Sequence, residues 1–70
     1  MFRFTREKIL PLFLQRQITI SELAREAGVA HQSAQKAVNG LPVSANIVNR
    51  IAAALGIDAV SYLAPTLNLR

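Results

Sequence analysis

The stretch Ile20–Gly40, ISELAREAGVAHQSAQKAVNG, constrains this chain more than any other. Ile20, Leu23, Ala24 and Ala27 share one face at the helical period, and Gly28 follows where a left-handed C-terminal cap is wanted. Thr19 precedes the run with Glu22 three residues on, the capping-box spacing. A second apolar run starts near Ala30 or His31 and stops at Asn39-Gly40. Two short helices are therefore expected, joined by a tight turn. Ala24 is small enough for the second helix to cross closely, Gly28 supplies a positive φ at low cost, and Val29 drops back into the core.

The flanking segments fit an all-α bundle of four to five short helices around that unit. Thr5 precedes a first helix running to about Arg16, with Glu7 in its first turn and Ile9, Leu10, Phe13 and Leu14 facing the core. Pro11 removes one backbone bond and is expected to kink this helix or delay its start to near Ile9. Ser44 caps a fourth helix, with Val43 as a staple before it. Ile47, Val48, Ile51, Ala52 and Leu55 form its apolar stripe, and Gly56 ends it. Asp58 caps a short fifth helix, about Ala59–Leu63, and Pro65 stops it. One domain is expected, with its core over about 5–64 and arms or tails at 1–4 and 65–70. In those ends Phe2 and Phe4, and Leu67 and Leu69, alternate with other residues, which fits either short strands that pair, within one chain or between chains, or frayed arms.

Seventy residues bury only about 60% of the unfolded surface, so stability depends on packing or on a partner chain. There are no cysteines and one histidine, which excludes disulfides and leaves no set of metal ligands. Half of the residues are hydrophobic but few are aromatic, as in Ala/Leu-rich helical bundles. The mean hydropathy of +0.28 points to apolar surface that meets another chain, so a homodimer is expected. No apolar run is long enough to span a membrane, and MFRFTREK lacks a signal core, so a cytoplasmic protein is expected. Glu7, Glu22, Glu26 and Asp58 form no acid–base pair, and there is no nucleophile constellation or phosphate loop. No enzymatic activity, cofactor or small-molecule ligand is expected.

The charge is +4 with a pI near 10.8, and no acid lies between Glu26 and Asp58, while Lys36 and Arg50 fall inside that window. An anionic partner suits this pattern, and nucleic acid is the commonest one. At 100° per residue, taking Ala34 as inward, Ala30, Ala37 and Val38 lie within about 60° of it. Gln32, Lys36 and Asn39 point outward with Gln35 beside them, and His31 and Ser33 sit on the flanks. Glutamine bonds an adenine edge bidentately; lysine bonds guanine acceptors or, without sequence information, a phosphate.

From about Ile18 to Leu63, two-thirds of its length, the chain resembles the helix-turn-helix domain of lambda-repressor/Cro-type (XRE-family) regulators. The resemblance is carried by ITISELAREAGVA, the Val38-Asn39-Gly40 exit, and VSANIVNRIAAALGI followed by Tyr62-Leu63. The family commonly reads LSQEELAEKLGVS, a recognition helix, then a helix ending IAKALGV. The resemblance implies that His31, Gln32, Gln35 and Lys36 read bases in the major groove, and that Thr19, Ser21, Ser33 and Asn39 touch phosphates. Four positions depart from the family pattern: Ile20 stands where a glutamine buttress is usual, Ala34 where Ile or Val is, Pro11 brings an atypical kink, and Ala30 stands where a serine cap is. The last costs about 1 kcal/mol at the start of the helix.

These residues point to a sequence-specific regulator of double-stranded DNA, a repressor that occludes its operator. Its length is like that of a phage, plasmid or mobile-element regulator. The alternative from another class is a protein-interaction module, an antitoxin or assembly adaptor, that uses the same fold without reading DNA.

Overall fold

A computed structural model describes residues 1–64. Pro65 and the Leu67/Leu69 alternation lie outside the described residues. Five helices follow in order: α1 (Arg6–Gln15), α2 (Ile20–Ala27), α3 (His31–Val38), α4 (Ala45–Leu55) and α5 (Ala59–Tyr62). Helices α2 and α4 start and stop where their caps predict. Thr19 Oγ1 accepts from the Glu22 backbone N–H at 3.1 Å, and Glu22 returns the bond to the Thr19 N–H at 2.8 Å, so two otherwise orphaned donors are satisfied. Gly28 is left-handed at φ 72, and the Val29 N–H reaches back to the Ala24 carbonyl. Leu41 to Lys36 and Ile57 to Ala52 repeat this reach after α3 and α4, each past a glycine. Ser44 Oγ accepts from the Ile47 N–H, as expected of the α4 cap.

The α2–α3 unit closes through small side chains. Leu23, Ala24 and Ala27 of α2 and Ala34, Ala37 and Val38 of α3 are all buried, and Ile51 and Leu55 of α4 complete the same core. Alanine on both helices allows close approach, and Ile9, Leu23 and Ile51 supply the apolar volume around them.

Four expectations are corrected. First, Pro11 neither delays nor splits α1, which begins at Arg6. Its missing N–H forfeits only the bond to the exposed Glu7, and burial of Ile9 and Phe13 on either side carries the helix across. Second, Leu14 is 63% exposed. It lies about 140° from Ile9 and outside the stripe, while Leu12, on the other flank, packs on the core instead. Third, Thr5 and Asp58 occupy cap positions without making a side-chain cap bond; Asp58 accepts from the Ser61 hydroxyl at 3.0 Å, and α5 ends at Tyr62.

The fourth correction is the largest. Residues 1–4 are not a loose arm. Phe2 and Val43 exchange both backbone bonds at 2.8 Å, Thr5 N–H donates to the Tyr62 carbonyl, and Ala64 N–H donates to the Arg3 carbonyl. Phe4 is 1% exposed and among the largest buried side chains. The segment ties the α3–α4 connection to the exit from α5. Two long side chains add further ties: Arg16 donates to the Leu55 carbonyl, where a cation complements the C-terminal end of α4, and Lys8 donates to the Ser61 carbonyl.

Gln17, just past α1, adopts φ 57 without being glycine or asparagine. A side chain there costs about 1 kcal/mol. Gln17→Gly is therefore expected to raise stability by a few tenths to about 1 kcal/mol in urea unfolding, and a loss of stability would contradict the strain.

Candidate nucleic-acid interface

The residues of α3 separate into two sides. Ala34 and Ala37 are fully buried and Val38 nearly so, while His31, Gln32, Gln35, Lys36 and Asn39 are exposed. The outward row is therefore amide, amide, cation, amide, held on a short helix that cannot rotate without expelling its alanines from the core. Ser33 is half-buried on one flank. It borders a shallow depression with Lys36, Met1, Pro42 and Ile47. Ala30 is exposed rather than inward, because its extended backbone (φ −68, ψ 152) places it before the helix and off the wheel.

Thr19 and Ser21 stand exposed at the N-terminus of α2, where backbone N–H groups and the helix dipole favour an anion. The Thr19 oxygen accepts its cap bond, so the hydroxyl proton is still available to donate. Glu22 places its carboxylate at the same end, bonded to the Thr19 N–H. Ile20 is half-buried against the core, so the position where the family carries a glutamine buttress is spent on packing. Asn39 donates one amide N–H to the Gln35 carbonyl at 2.9 Å, which fixes the side chain at the exit of α3 and leaves a second N–H for another acceptor.

Two basic features lie near this surface and were not singled out from the sequence as contacts. Arg50 of α4 reaches the α2–α3 turn, its Nη1 3.1 Å from where a Gly28 Cβ would stand, and its Nε–H donates weakly to Asn46 Oδ1 at 3.4 Å. Arg6 begins α1 beside the exit of α3, its Cβ 3.0 Å from where a Gly40 Cβ would stand. The alternation in MFRF separates Arg3 from the two phenylalanines but gives no signal for Arg6 or Arg50, which reach this surface through tertiary packing.

No helix among the described residues is long and apolar enough to cross a membrane. No curated protein and no solved structure matches the chain. A family model described as the Cro/C1-type HTH DNA-binding domain matches residues 8–60, a span from early α1 through the start of α5 that contains the whole α2–α3 unit. The matched residues make up most of the chain, and on that match the chain belongs to the family of Cro/C1-type helix-turn-helix DNA-binding domains.

Proposed function

We propose that the chain is a sequence-specific regulator of double-stranded DNA that represses by occupying an operator and excluding polymerase. The observation that carries this reading is the outward face of α3, with Gln32, Gln35 and Lys36 exposed on a helix whose opposite side is locked into the core. In the major groove, Gln32 and Gln35 suit adenine edges, Lys36 suits guanine acceptors, and His31 sits at the leading end. Thr19, Ser21, Ser33 and Asn39 would hold flanking phosphates and fix the register.

The working unit is proposed to be a homodimer in the cytoplasm, with two reading helices on half-sites about one DNA turn apart. Exposed apolar surface supports this: Val60 is 77% exposed beside a shallow groove lined by Phe2, Val48, Ala59 and Leu63. The same surface favours the second reading, an interaction module with a protein partner.

Selection from a pool of random duplexes, followed by a salt titration on the winner, separates the two. The expected result is an enriched sequence whose log K falls steeply and linearly with log salt. No enrichment, together with salt-insensitive binding to a protein partner, would favour the module instead.

A further inference from the structure

We propose that the N-terminal segment Met1–Arg6 is a fixed cationic flank of the reading helix, and that Arg3 and Arg6 grip backbone phosphates beside the exit of α3. The proposal rests on the DNA-binding reading above. It adds contacts that the α2–α3 unit does not supply.

Placement is the first support. Met1 borders the same depression as Ser33 and Lys36, so the start of the chain lies near one flank of α3. Arg6 sits at the other end of the segment, with its Cβ against Gly40, the residue that ends α3. The segment thus runs alongside the exit of the reading helix.

Orientation is the second. Phe4 enters the core, and Phe2 faces the groove with Val48 and Leu63. Side chains of an extended segment alternate, so Arg3 shares the opposite, solvent side with Met1, and Arg3 is exposed. Arg6, the first residue of α1, lies within about 60° of the Ile9–Phe13 stripe, and it is exposed as well. Glu7, the nearest acid in the chain, lies on the far side of α1 from Ile9.

Rigidity is the third. A free basic arm must be ordered on binding, which costs backbone conformational entropy for every residue fixed. Here the backbone is already held by the paired bonds to Val43 and the bond from Ala64 N–H to the Arg3 carbonyl, so only the arginine side chains are left to order on binding. Together with Lys36 they extend the positive surface past the helix in a direction that carries affinity rather than sequence information.

The test compares Arg3→Gln, Arg6→Gln and their double variant with Lys8→Gln. The last removes the same charge from the same helix, about 200° round from Arg6, where Lys8 bonds the Ser61 carbonyl. Affinity for the enriched duplex is measured across salt concentrations, with thermal melts to verify that each variant is folded. Each arginine variant is expected to lower the steepness of log K against log salt by about 0.9 and the double variant by about twice that. Base preference should be unchanged, and Lys8→Gln should keep the wild-type slope. Wild-type binding with arginine-variant slopes no different from that of Lys8→Gln overturns the flank alone. Failure of the wild-type chain to bind any duplex overturns the DNA reading and the flank together.

Discussion

Phe4→Ala is expected to cost about 3–5 kcal/mol, the range for removing a buried aromatic ring that its surroundings cannot refill. Phe4 is 1% exposed and lies among core residues from the other parts of the chain. Its backbone neighbours are pinned on both sides, Phe2 to Val43 and Thr5 to Tyr62, so collapse into the cavity would break those bonds. A small domain has about 5–15 kcal/mol in total, so the loss is a large fraction of it. At about 4–8 °C per kcal/mol, the melting midpoint should drop by more than about 12 °C. A drop under about 5 °C would mean that the segment is an appendage and not part of the core.

Gly40→Ala is expected to cost roughly 2–5 kcal/mol, and Gly28→Ala clearly less. Both glycines are left-handed, at φ 76 and φ 72, so each substitution carries a conformational penalty of about 1–2 kcal/mol. The surroundings then separate them. A Cβ at Gly28 meets only the far end of the Arg50 side chain, which swings aside. A Cβ at Gly40 meets Arg6 Cβ at 3.0 Å and the Phe4 carbonyl oxygen at 3.2 Å. Neither can move without disturbing the buried Phe4, which adds an overpacking cost of about 1–3 kcal/mol. Chemical denaturation of the two variants side by side checks the ordering, and equal losses would contradict the close packing at Gly40.

The helix-turn-helix was legible because its signals are local. Thr19 with Glu22, Gly28 with Val29, and Ser44 with Ile47 each act within a few residues, and the helices begin and end on them. The N-terminal segment was not legible, because its partners are Val43 and Leu63, far along the chain, and it pairs through single bridges rather than a ladder. Four alternating residues fit a docked strand and a frayed arm equally well. Gln17 at positive φ carries no sequence marker either, since nothing in its type asks for that conformation.

The same division holds at the site. A wheel centred on Ala34 places Gln32, Gln35 and Lys36 outward and Ala37 and Val38 inward, and burial follows it. It misplaces Ala30, which stands before the helix, and it contains no information about neighbours from other elements. Met1, Arg6 and Arg50 come near the α2–α3 unit only through tertiary packing, so helical period alone does not reveal them.

The central claim, that the outer face of α3 reads base edges, is tested most directly on the enriched duplex and its single-base variants. Affinities of the wild-type chain and Gln32→Ala are measured across that set. The account predicts that Gln32→Ala loses about 1–3 kcal/mol of discrimination at one base position while preferences elsewhere are kept. An unchanged profile, or weakening by the same amount on every duplex, would contradict it.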